Sequence, residues 1–158
     1  MLGISPNPAI IKSAQEAAVR IGGTIEVLSV ANPHEIDTTF AQLAEKRVDA
    51  VMMVVGAQLF VNRRVQLATA SARYVMPVIF YDRGYAEAGG LMSYGVNVLE
   101  QYRQVGIYVG RILKGEKPSD LPVMQPTKFE LVINMETARL LGIEVPPTLL
   151  AFADEVIE

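Results

Sequence analysis

The chain has 158 residues, half of them apolar and a fifth charged, with a net charge of −3 and no cysteine. That is the composition of one globular domain with room for a core, and it excludes a disordered chain, a disulfide scaffold and thiolate or Cys-metal chemistry. A slightly acidic balance gives no basic face for nucleic acid, and no run of apolar residues is long enough to span a membrane as a helix.

Asn7-Pro8 predicts an N-cap with proline in the first helical position, followed by helical spacing at Ile10, Ile11, Ala14, Ala17, Ala18 and Ile21. Gly22-Gly23 stops that helix, and the alternating run Thr24 to Val30 predicts a strand. Asn32-Pro33 with Glu35 repeats the capping device for a helix carrying Ile36, Phe40 and Leu43 on one face. Asp49 to Val55 is apolar almost throughout, the pattern of a parallel strand covered on both faces. A turn at Gly56-Ala57-Gln58 leads to a helix over 62–74, with Val65, Ala68, Thr69 and Ala72 expected inward, and Pro77 to Tyr81 is the next buried strand. Strands alternating with helices in this way predict βαβ units, hence an α/β fold of three αβα layers around a mainly parallel sheet. Ligands of such sheets sit at the carboxyl ends of the strands, which directs attention to the loops 5–8, 31–33, 56–60, 82–85 and 94–97.

The second part reads differently. Gly89 to Asn97 lets the chain turn, run extended and approach other backbone closely at Gly95 before entering a helix over 98–114. Val98, Tyr102, Val105, Val109, Ile112 and Leu113 form one stripe of that helix, with Gly106 and Gly110 on an adjoining face. A proline-bearing polar link (116–122) precedes a strand over 128–133, Asn134 caps a short helix to Leu141, and Pro146-Pro147 with an acidic tail closes the chain.

These residues carry a resemblance. Gly90-Leu-Met-Ser-Tyr-Gly95, Tyr102 to Tyr108, Ile112 to Pro118, Leu121-Pro122-Val123, Gln125 to Asn134, Val145-Pro146-Pro147 and Ala153 to Glu158 resemble the substrate-binding proteins of ABC uptake transporters, of the type I periplasmic-binding-protein fold. Members are about twice this length and begin with a signal peptide, which Met1 to Pro6 does not resemble. The resemblance therefore implies a C-terminal lobe over 1–158, with hinge crossings near 91–97 and 118–127 and the helix over 98–114 packed on an N-terminal lobe. It further implies a periplasmic, non-enzymatic protein that closes on a small solute, amino-acid-like for instance, and delivers it to a membrane permease. No cofactor is expected. A chain without its partner lobe is expected to cover the apolar helix stripe by homodimerisation or swapping. The ligand-sensing domain of a lac-repressor-type regulator shares the fold and is the alternative.

The ligand-binding positions implied by the resemblance are Ser5, Asn7, Ala57, Gln58, Phe60, Asp82, Arg83 and Tyr94, all on strand-end loops. Several have a second reading. Asn7 serves equally as a helix cap, Phe60 as core, Asp82 as a turn residue or an ion pair with Arg83, and Tyr94 as a hinge plug. His34 lacks a partner at metal-ligand spacing and reads as a surface residue. Neither Gly22-Gly23 nor Gly89-Gly90 makes a phosphate-binding loop. Met52, Met53 and Met92 read as core, and Arg63-Arg64 and the closing acidic run as solvated faces.

Overall fold

The computed structural model describes residues 2–3, 7–53 and 58–158. In chain order the elements are β1 (Leu2–Gly3), α1 (Pro8–Arg20), β2 (Leu28–Ser29), α2 (His34–Glu45), β3 (Val51–Met52), α3 (Gln58–Val61), α4 (Arg64–Arg73) and β4 (Val78–Phe80). They continue as α5 (Arg83–Glu87), β5 (Met92–Val96), α6 (Val98–Leu113), a 3-10 turn (Pro118–Asp120), β6 (Phe129–Asn134), α7 (Met135–Leu140), α8 (Pro147–Phe152) and β7 (Glu155–Ile157).

The α/β class is as predicted. A five-stranded sheet runs in the order β3-β4-β5-β6-β7, and β1 pairs with β2 in a separate parallel ribbon. The β3–β4, β4–β5 and β6–β7 pairs are parallel. The exception is β5–β6, an antiparallel ladder of five residue pairs from Met92↔Ile133 to Val96↔Phe129. It is the longest ladder in the sheet. Asn97 and Phe129 sit at its far end, where the chain leaves for α6 and returns from it.

Two apolar clusters hold the layers together. One gathers Val30, Ile36, Phe40, Leu43, Met53, Phe60, Leu67, Val78, Phe80 and Tyr85 between the sheet and the helices before β5. The other gathers Leu91, Ile133, Ala138 and Val145, with half-buried residues of α7 and α8 packed on it. Polar devices set the element starts. Asn32 Oδ1 accepts from the His34 and Glu35 N–H groups, but Glu35 Oε2 accepts from the Ala31 N–H and Pro33 stands at the N-cap of α2, so the capping box expected at Asn32 forms one residue out of register. Asn134 starts α7 by accepting from the Thr137 N–H at 2.9 Å, and its Nδ2 donates to the buried Ala86 carbonyl at 3.0 Å. Asn134→Ala removes a cap and a buried hydrogen bond at once, so a loss of about 1–3 kcal/mol is expected in urea denaturation.

Several expectations need correction. Of the strand expected over 24–30, the ladder seen among the described residues is Leu28–Ser29, paired with Leu2–Gly3. The strand over 49–55 is seen at Val51–Met52, its second half lying outside the described residues, and Met52 is exposed rather than core. In α4 the largest apolar side chain, Leu67, takes the core with Ala68, Ala70 and Ser71. That rotates Val65, Thr69 and Ala72 outward. The acidic tail is solvent-facing as expected, with Asp154, Glu155 and Glu158 exposed, but it is also ordered: Asp154 Oδ2 accepts from the Leu131 N–H at 2.9 Å, and β7 then adds to the sheet beside β6.

Among the described residues no helix is long and apolar enough to cross a membrane. One helix is apolar in an unusual way: α6 buries none of its sixteen residues, and Leu99, Tyr102, Val105 and Leu113 are each more than half exposed.

Candidate functional site

The carboxyl ends of β4 and β5, with the start of α4, bring together Arg64, Asp82, Arg83, Tyr85 and Tyr94. Asp82 ends the β4 segment and caps α5, its Oδ1 accepting from the Gly84 N–H at 3.1 Å. The same oxygen lies 3.1 Å from Arg64 Nη2. Asp82 thus pairs with Arg64, not with its chain neighbour Arg83.

Arg83 is fully committed elsewhere. Its Nε donates to Glu87 at 2.8 Å, Nη2 donates to Glu155 at 2.7 Å, and Nη1 lies 3.5 Å from Glu130. The bonds to Glu87 and then Glu155 raise its pKa above the ordinary arginine value, so the charge is fixed. Glu130, nearly buried on β6, also accepts from Asn97 Nδ2 at 2.8 Å, and Asn97 Oδ1 caps α6 through the Glu100 N–H. Arg83 therefore joins α5, β6 and β7 and, through Glu130, the start of α6. This is the geometry of a brace.

Tyr85 is wholly buried and stacked on Phe80, with ring centroids 4.7 Å apart. Its hydroxyl meets that of Tyr81 at 3.0 Å. Burial, then the bond to Tyr81, raises its pKa well above the ordinary phenol value, so it stays neutral. Above its ring, at 5.6 Å, sits the Arg64 guanidinium.

The remaining candidates divide. Ser5 and Ala57 lie outside the described residues, and Gln58 opens α3 with a side chain that is not described. Asn7 Oδ1 accepts from the Ala9 N–H at 2.8 Å, the capping role. Phe60 is completely buried in the main core, so packing is what the structure gives it. Tyr94 is 56 % exposed and stacks at 5.8 Å on Phe129 across the β5–β6 ladder, an aromatic surface open to solvent.

Arg64 escaped the sequence reading, where it passed as a solvated face. One local signal was available: an arginine in the first turn of a helix stands against the helix dipole, so something other than helix stability holds it there. A second feature lies apart from these loops. A groove of about 680 Å³ runs between α6 and the segment 118–128, lined among others by Tyr102, Val105, Tyr108, Val123 and Met124.

Comparison with known proteins gives this arrangement a family. Residues 7–157 match the family described as ABC transporter substrate binding protein. A Streptococcus pneumoniae structure, titled as the ABC domain in complex with L-Trp, is 26% identical with a TM-score of 0.85, over 99% of this chain and 53% of that one. A conserved domain protein of Vibrio cholerae O1 biovar El Tor is 24% identical with a TM-score of 0.82, over 98% of this chain and 54% of that one. The ligand-free, open form of a Clostridium difficile substrate-binding protein with adhesive properties is 19% identical with a TM-score of 0.62, over 99% of this chain and 54% of that one. The last two share the fold. The chain spans about half the length of each of these structures. No curated protein sequence matches it significantly. With a family match over nearly every residue and a sheet laid out like those of substrate-binding proteins, the chain belongs to the ABC transporter substrate-binding protein family.

Proposed function

We propose that this chain is the C-terminal lobe of a two-lobed solute-binding protein that closes on an aromatic amino acid and presents it to an ABC permease at the outer face of a membrane. The observation that carries the two-lobed reading is α6: an amphipathic helix that leaves the sheet at Asn97 with its whole apolar stripe in solvent. Such a stripe calls for a covering surface. A second α/β lobe, supplied by the half of the relatives' length that this chain does not span, fits it. The β5–β6 ladder is then the hinge, and the loops at the carboxyl ends of β4 and β5 form one wall of the cleft.

The ligand class rests on two supports. The Streptococcus pneumoniae relative is titled with L-Trp bound. On this chain the rim at the strand ends offers an exposed aromatic pair, Tyr94 and Phe129, and an Arg64–Asp82 charge pair. Rings recognise rings by stacking, and paired charges recognise a zwitterion.

Thermal unfolding with a panel of amino acids, sugars and small organic acids tests the reading. Aromatic amino acids are expected to raise the melting temperature, a ligand at a hundred times its dissociation constant adding about 2.7 kcal/mol. A shift with sugars alone, or with none of the panel, would overturn the amino-acid assignment.

A further inference from the structure

Two guanidinium groups stand at the carboxyl ends of the strands, and their surroundings differ in kind. Arg83 donates to Glu87 and Glu155 and has Glu130 near its third nitrogen, so its donors are occupied within the domain. Arg64 shares a single carboxylate oxygen, Asp82 Oδ1, through Nη2, and its Nε is buried with no hydrogen-bond partner among the described residues, so the exposed part of the side chain lies toward the Nη end. Its side chain keeps 39% of its surface in solvent.

Yet Arg64 is seated, not loose. The Tyr85 ring lies under the guanidinium at 5.6 Å, and Tyr85 is itself fixed by Phe80 and Tyr81. Gly84 leaves space beside it: a Cβ there would stand 3.0 Å from both Arg64 Cζ and Nη1. Position at the start of α4 works against helix stability for a cation but sums with the helix dipole to favour an incoming anion. Four features thus converge on one cation held at the rim with donors to spare.

We propose that Arg64 is the carboxylate-binding residue of the ligand site and that, with Asp82 beside it, it recognises the zwitterionic head of an α-amino acid. A guanidinium edge presents two parallel N–H groups to a carboxylate, and the other guanidinium described at this rim, Arg83, spends its own on Glu87 and Glu155. In an α-amino acid the carboxylate and the ammonium flank one carbon, and the opposite charges of Arg64 and Asp82 approach to 3.1 Å. Within the domain the two neutralise each other, so neither is a lone charge beside apolar surface. The inference rests on the amino-acid reading above and adds the residue that selects for the carboxylate.

Titration calorimetry of the wild-type protein, Arg64→Gln and Arg64→Lys with L-tryptophan, tryptamine (no carboxylate) and indole-3-propionate (no ammonium) tests it. Arg64→Gln is expected to weaken L-tryptophan roughly 10- to 100-fold, the loss of a charge-assisted hydrogen-bonded pair, while binding tryptamine no worse than wild type does. Arg64→Lys keeps the charge and the stem over Tyr85 but not the fork, and an intermediate loss is expected; it also carries the test should Arg64→Gln fail to fold. L-tryptophan bound by a folded Arg64→Gln as tightly as by wild type overturns the role of Arg64 alone. Equal losses for L-tryptophan and tryptamine overturn it too, since they mean a packing role. A wild-type protein that binds none of the three overturns the aromatic amino-acid reading itself.

Discussion

Gly95→Ala is expected to unfold this domain at temperatures where the wild type is stable. A Cβ built on Gly95 falls 1.8 Å from the Tyr81 carbonyl oxygen and 2.8 Å from its carbonyl carbon. The obstacle is backbone, which has no rotamer to give, so β5 must move away from the end of β4. Overpacking a core costs about 1–3 kcal/mol when side chains can shift, and more is expected here. Against a total of roughly 5–15 kcal/mol the loss is large. The damage also reaches the site, since Tyr81 precedes Asp82 and displacement of one moves the other. Gly106→Ala is the control: nothing lies within 4 Å of its would-be Cβ, and alanine in a helix interior is favoured over glycine by about 1 kcal/mol. Chemical denaturation of both variants decides it. A Gly95→Ala protein as stable as wild type would mean that β5 does not pass so close to Tyr81.

That close approach was legible in the sequence, and the reason is local. Glycine at the end of an extended stretch between a buried strand and a helix has few other uses. The caps at Asn7 and Asn134, the α6 stripe and the strand leading to Asn134 were legible on the same ground, because each is written within one turn or one strand. What escaped is short or distant. Helix α5 has five residues, too few for a helical period, and β7 has three, one of them the charged Glu155. Glu155 sits in that strand beside β6 and accepts from Arg83, far back in the chain. Arg64 is the same case. Its seat is assembled from Asp82, Gly84 and Tyr85, on an element that packs against α4 only after the chain has folded. Its neighbour Arg83, placed on the site by its loop position, turns out to be consumed by three carboxylates. Spacing along a chain locates loops well, but it does not say which of two arginines keeps its donors free.

Tyr85 is where the stability of the domain and the geometry of the candidate site meet, and its two substitutions should separate them. Tyr85→Ala removes a fully buried ring stacked on Phe80 at 4.7 Å and set edge-on to Tyr81 at 5.4 Å. A cavity in that position is expected to cost about 3–5 kcal/mol. It also takes away the surface on which the Arg64 guanidinium rests, so any Tyr85→Ala protein that folds should bind ligand more weakly, as Arg64→Gln does. Tyr85→Phe keeps the ring and loses only the hydroxyl pair with Tyr81, at about 1 kcal/mol. Affinity should then stay close to wild type. The two differ again in alkali. Burial raises the folded-state pKa of Tyr85 above the ordinary 10.0. The unfolded chain therefore releases this proton first, so its contribution to stability is complete below that pH and shrinks as pH rises above it. Tyr85→Phe has no such proton and should show a shallower alkaline loss of stability. Denaturation curves at neutral pH and above pH 10 measure this directly. Equal alkaline slopes would mean that the Tyr85 hydroxyl reaches water in the folded protein, and with it that the ring does not form a dry floor beneath Arg64.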